Sequence, residues 1–152
     1  VPLPRTEFPL HPRQVKILSG LSKLFHDPAK HTTGAAARDA NGEMCFVVSK
    51  HATCFCALGG LMKVDRDLGG EGAVDPRIEN AMVETFIHLR HMGRAGGDAA
   101  LVSINERGSF VVDEAGESRI GREAVIELCE QTIKRHAVSP ETGRNANGVA
   151  SV

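Results

Sequence analysis

The stretch Ser49–Leu61, SKHATCFCALGGL, sets Cys54 and Cys56 one residue apart, after His51 and before the pair Gly59–Gly60. Closely spaced thiolates hold zinc, and a single thiolate at a helix start is a nucleophile. The zinc reading meets a geometric obstacle. With Thr53 as N-cap of a helix, about 100° of rotation per residue turns the two sulfurs about 200° apart, too far to share one tetrahedral ion. The spacing also misses the Cys-x₂₋₄-Cys pattern of structural zinc sites. No metal ligand and no cofactor are therefore assigned. A nucleophile needs a base and a group that orients the base. The chain offers Cys56, then His88 or His91, then Asn105, in the order Cys, His, Asn of papain-like enzymes. That set defines the alternative reading, a cysteine-dependent hydrolase or transferase.

The leading reading of the same stretch is packing. Two glycines inside a helix cost about 1 kcal/mol each against alanine, and a helix tolerates that where a neighbouring backbone comes close. Cys56, Gly59 and Gly60 then form a close-packing face, with Cys54, Leu58 and Leu61 on the core side. A free cysteine behaves there as a small hydrophobe. Other chemistry-bearing groups are sparse. His88 and His91 stand three apart on a helix, where they border the apolar stripe and solvent. GGEG at 69–72 lacks the Lys-Ser/Thr of a phosphate loop, and DEAGE at 113–117 is a turn too short for a calcium loop.

These residues need elements to position them. Residues 1–12 carry prolines at 2, 4, 9 and 12, which forbid a helix and favour an extended arm. Pro2, Pro4, Phe8 and Pro9 are its candidate partner-binding residues. From Arg13 the stripe Ile17, Leu18, Leu21, Leu24 and Phe25 is helical, ending before Pro28. Asn41-Gly42 predicts a two-residue type I′ hairpin. That hairpin would pair Asp39 with Met44, Ala37 with Phe46 and Ala35 with Val48, laying small residues against large ones on one face. A central helix follows from Thr53, then a helix from Pro76 to Met92, then two short strands around Glu106–Gly108. The last helix spans about Gly121–His136, with Val125, Leu128, Cys129, Thr132 and Ile133 inward. No internal repeat is evident. Residues 13–137 form the globular domain and 138–152 a tail.

Composition narrows the field. The 152 residues are 41% hydrophobic and 24% charged with a net charge of −1, ordinary for one globular domain. No basic field exists to hold nucleic acid, and six Phe without Tyr or Trp make a poor base-stacking platform. No apolar run reaches the roughly 18 residues of a membrane span, and the N-terminus shows no signal-peptide core. Four cysteines then fit a reducing, cytoplasmic setting.

Three pieces read together resemble a known family: GAAARDANGE, CALGGL, and SINE ahead of a helix with AVIELCEQTI. The chain resembles short bacterial and phage proteins of unknown function that share a glycine-led hairpin, a Cys-x-Leu-Gly-x-Leu helix and a Trp-Asn-Asp loop. The match spans roughly Leu18 to Arg135. Gly34, Asp39, Gly42, Cys56, Leu58, Gly59, Leu61 and Asn105 agree, whereas Ile104 replaces the tryptophan and Glu106 the aspartate. About ten extra residues, 107–117, extend the loop towards a hairpin. The resemblance implies the element order and a phage or bacterial source, and brings no activity.

The expectation is a single α+β domain of about four helices with one or two β-hairpins. Its function is that of a small non-enzymatic interaction or assembly protein, cytoplasmic or carried in a virion. Its partners are proteins or copies of itself, with no nucleic acid and no membrane.

Overall fold

The computed structural model describes residues 8–90 and 97–138. It is a single α+β arrangement of five helices and two two-stranded antiparallel sheets. The helices are α1 (Pro12–Phe25), α2 (Ala57–Asp67), α3 (Pro76–Arg90), α4 (Gly97–Asn105) and α5 (Gly121–His136). Strands β1 (Ala37–Asp39) and β2 (Ala52–Phe55) form one sheet, β3 (Phe110–Val112) and β4 (Ser118–Ile120) the other.

Helix α1 starts at Pro12, whose missing N–H is harmless in the first turn, and Gln14 accepts from the His11 N–H at 2.8 Å. Its buried stripe of Ile17, Leu18, Leu21 and Phe25 lies mainly on α5 and α2. The chain on either side of the α1–α5 pair is tied together by a parallel bridge between Leu10 and Ala137. There the Leu10 N–H donates to the His136 carbonyl at 2.9 Å and the Val138 N–H to the Leu10 carbonyl at 3.0 Å. Leu10 is buried in the core.

The first hairpin differs from the expected one. A type I′ turn needs positive φ at both central residues, yet Gly42 sits at φ 82° while Asn41 does not. The Gly42 N–H donates to the Asp39 carbonyl at 3.0 Å and the Asp39 N–H to the Glu43 carbonyl at 2.9 Å. This is a three-residue loop with glycine in the left-handed position, so the register slips by one and Arg38, not Asp39, faces Met44. The pairings of Ala37 with Phe46 and Ala35 with Val48 are not made. Instead the chain turns at Phe46–Ser49 and again at Ser49–Ala52, returning as β2 along the other edge of β1. Ala37 there faces Phe55 and Arg38 faces Cys54. A one-residue slip reverses inward and outward. Cys45 and Val47 accordingly lean on the core, and Met44, Phe46 and Val48 are left 70%, 83% and 54% exposed.

A second correction concerns residues 99–105, expected as the start of a strand pair and found within α4. Leu101, Ile104 and Asn105 are buried, a helical spacing. Arg107, at φ 70°, holds the position after the helix end that glycine commonly fills. The Gly108 N–H reaches back to the Ser103 carbonyl at 2.7 Å and the Arg107 N–H to Ile104 at 3.2 Å, closing the helix. The strand pair follows as β3–β4, joined by Asp113–Glu117. That turn repeats the first one bond for bond. In each, the aspartate Oδ1 accepts from the residues two and four ahead, at 2.9–3.0 Å. The glycine N–H donates to the aspartate carbonyl at 3.0 Å in both. Asp-x-x-Gly-Glu is therefore a short local repeat, at 39–43 and 113–117, where none was expected.

Candidate functional site

Helix α2 begins after Cys56, not after Thr53. Residues 52–55 are extended, so Cys54 lies half-buried on β2 opposite Arg38 and not on the core face of a helix. The reason is local. Sheet pairing with β1 holds the backbone extended as far as Phe55, and the Cys56 Sγ supplies the cap by accepting the Gly59 N–H at 3.3 Å. Gly59 and Gly60 are buried. A Cβ on Gly59 would run into the Ala36 carbonyl, and one on Gly60 into the Leu21 side chain. The two glycines thus face different neighbours, one a backbone and the other α1. Leu61 is in the core; Leu58 is partly buried against it.

The polar centre beside this helix start is Asn105, the last residue of α4 and 1% exposed. Its Oδ1 accepts the Ala57 N–H at 3.0 Å and His31 Nε2 at 2.9 Å. Its Nδ2 donates to the Thr32 carbonyl at 3.1 Å and to Glu106 Oε2 at 2.8 Å. Two acceptor and two donor sites are all an amide side chain has, so Asn105 is saturated. Because Oδ1 only accepts, His31 carries its proton on Nε2 and keeps Nδ1 as the basic nitrogen. Glu106 in turn accepts the Gly34 N–H at 2.9 and 3.1 Å. His31 follows a single 3₁₀ turn, Pro28–Lys30, whose start is capped by Asp27. The imidazole and the Phe25 ring meet edge to face, 5.0 Å between centroids. Burial holds its pKa below the usual histidine value, assisted by the Arg122 charge. The Asn105 bond and Glu106 pull the other way.

The backbone N–H groups around Cys56 are largely engaged. The Cys56 N–H donates to Ala36 at 3.2 Å, the Ala57 N–H to Asn105 and the Gly59 N–H to the sulfur. An oxyanion held by any of those three groups would displace a bond already made. His88 lies exposed on α3, a helix packed on α4, α5 and β3, and not beside α2. His91 falls outside the described residues. The imidazole that Asn105 holds is His31, and the chain order is therefore His, Cys, Asn. Its only forewarning in the sequence is a His-Thr-Thr-Gly run after Pro28, which carries no periodic signal. Among the described residues no group of three His, Cys, Asp or Glu is placed to hold a metal ion.

Of the expected arm, Pro2 and Pro4 lie outside the described residues. Phe8 and Pro9 are half-buried on their own domain, with Phe8 packed against the core and its ring 6.3 Å from that of His136. His136 is buried, and its Nε2 lies 2.9 Å from Glu84, which also takes two 2.7 Å bonds from Arg135. Among the described residues no helix is long and apolar enough to cross a membrane. The largest exposed apolar side chains on one short segment are Met44, Phe46 and Val48. Their alternation is visible in the sequence, but the one-residue slip turns it outward. Comparison of the chain with protein-family models, curated proteins and solved structures returns no match.

Proposed function

We propose that this chain is a small non-enzymatic interaction or assembly protein, and that the loop from Glu43 to Lys50 is where it meets its partner. The observation that carries the reading is the outward run of Met44, Phe46 and Val48 on a loop fixed at both ends by hydrogen-bonded turns. Contiguous exposed apolar side chains ringed by polar residues mark contact surfaces. The saturated node at Asn105 fits this role as scaffold. It ties α4, the His31 segment and the start of α2 into one support beneath the loop-bearing sheet. Gly34, Cys56, Gly59 and Asn105, four positions that carry the resemblance to the bacterial and phage family, sit in or against that node, which favours the family reading as well.

The test compares the full chain with its Phe46→Asp variant after checking that both unfold at the same urea concentration. Cross-linking is read in pure solution and in lysate of the encoding cells. Loss of self- or hetero-cross-links in the variant supports the reading; identical patterns for both chains sink it.

Thiol chemistry at Cys56 is the second reading. Its support is that His31 and the amide next to Cys56 share one acceptor atom on Asn105. Alkylation by iodoacetamide separates the two. Cys56 reacting faster than Cys45 and Cys54, and slowing in His31→Ala, promotes the enzyme; three equally sluggish thiols remove it.

A further inference from the structure

We propose that the partner of the 43–50 loop is the same loop of a second copy of this chain, set antiparallel about a two-fold axis near Phe46. This rests on the interaction reading above and names its occupant. The argument is the order of exposed chemistry along the loop. An acid, Glu43, comes first, then Met44, Phe46 and Val48, then a base, Lys50, and all five are exposed. In an isologous contact residue i of one copy meets residue j of the other, and j meets i. Antiparallel placement sets Met44 against Val48 of the second copy and Phe46 against Phe46, and it brings each Glu43 to the Lys50 end of the other loop. Parallel placement would set Glu43 on Glu43 and Lys50 on Lys50.

Both charges are available for that purpose. Among the described residues neither Glu43 nor Lys50 makes an ion pair. The adjacent Arg38 is already committed to the Thr33 and Gly42 carbonyls, and Asp39 to its own turn. The loop is also held in shape before it binds. The Ser49 N–H donates to Phe46 at 3.0 Å, the Ala52 N–H to Ser49 at 3.2 Å and the His51 N–H to the Ser49 hydroxyl at 3.1 Å. Cys45 and Val47 anchor it from below. Little ordering entropy remains to be lost on contact. The apolar patch is on the order of 300 Å² per copy, well under the roughly 800 Å² a side of a stable interface, so the dimer is weak and reversible.

Sedimentation equilibrium of the full chain across the micromolar to millimolar range is the experiment. The wild type shows a monomer–dimer equilibrium, and Phe46→Asp raises its dissociation constant by about tenfold or more. Glu43→Lys and Lys50→Glu each weaken the dimer about threefold or more through like-charge contact. The double variant E43K/K50E, with the charges exchanged, recovers to within about twofold of the wild type. A chain that stays monomeric overturns the proposal, as does a dimer untouched by Phe46→Asp or a double variant no better than the single ones. If the wild type is monomeric yet Phe46→Asp still abolishes hetero-cross-links in lysate, self-pairing falls while the interaction reading stands.

Discussion

Asn105 is the side chain with most to lose. Its four hydrogen bonds reach two separate segments, His31–Thr32 and Ala57, and its own neighbour Glu106, and it is buried. Replacing it with leucine leaves the Ala57 N–H and the Thr32 carbonyl without their partner, each an expensive loss in a buried site. The expected cost for Asn105→Leu is about 2–4 kcal/mol, read from urea unfolding. A variant within about 0.5 kcal/mol of wild type would show the node to be ornamental. The sequence singled out Asn105, but for the wrong company. Nothing in linear spacing says that His31, 74 positions away, turns its ring to this amide. Such a pairing is set by where the chain crosses itself.

Elements show why some of the fold was legible and some was not. Helices α1 and α5 are readable because their apolar stripes follow a 3.6-residue period, and all the stripe residues are buried except Leu24 and Ile133, which are partly so. Helix α2 starts three residues later than Thr53, the better intrinsic cap, implies, because cross-strand pairing of residues 52–55 with β1 outweighs that preference. Helix α4 reads as a strand in the sequence because its short apolar run carries no period that separates the two states. Cys56 as the cap of α2 makes a testable element-level claim. Cys56→Ser keeps an oxygen to accept the Gly59 N–H and leaves stability unchanged within about 0.5 kcal/mol, whereas Cys56→Ala costs about 1 kcal/mol. Thermal or urea unfolding of the two variants reads the difference, and equal stabilities would mean the sulfur caps nothing.

At the scale of the whole molecule, two histidines set the response to acid. Burial is the main cause that lowers the pKa of both His31 and His136. A group whose folded pKa lies below its unfolded value binds fewer protons when folded. Stability from both rings is therefore complete above the ordinary histidine value of about 6.5 and is lost as pH falls through the folded values. Glu84, held low chiefly by the hydrogen bonds of Arg135, adds a further loss deeper in acid. The urea midpoint should drop between about pH 7.5 and pH 5.5, and the drop should flatten in the double variant H31Q/H136Q. A wild type that gains stability on acidification contradicts the assignment.

The bridge between Leu10 and Ala137 also bears on how the molecule is made. Helix α1 is made before α2 to α5, yet its main packing partner is α5, the element farthest from it along the described chain. Until α5 emerges, α2 covers only part of that stripe, so the domain closes fully only late. Nascent chains halted before residue 121 should therefore be recognised by chaperones, and those released beyond residue 138 should not.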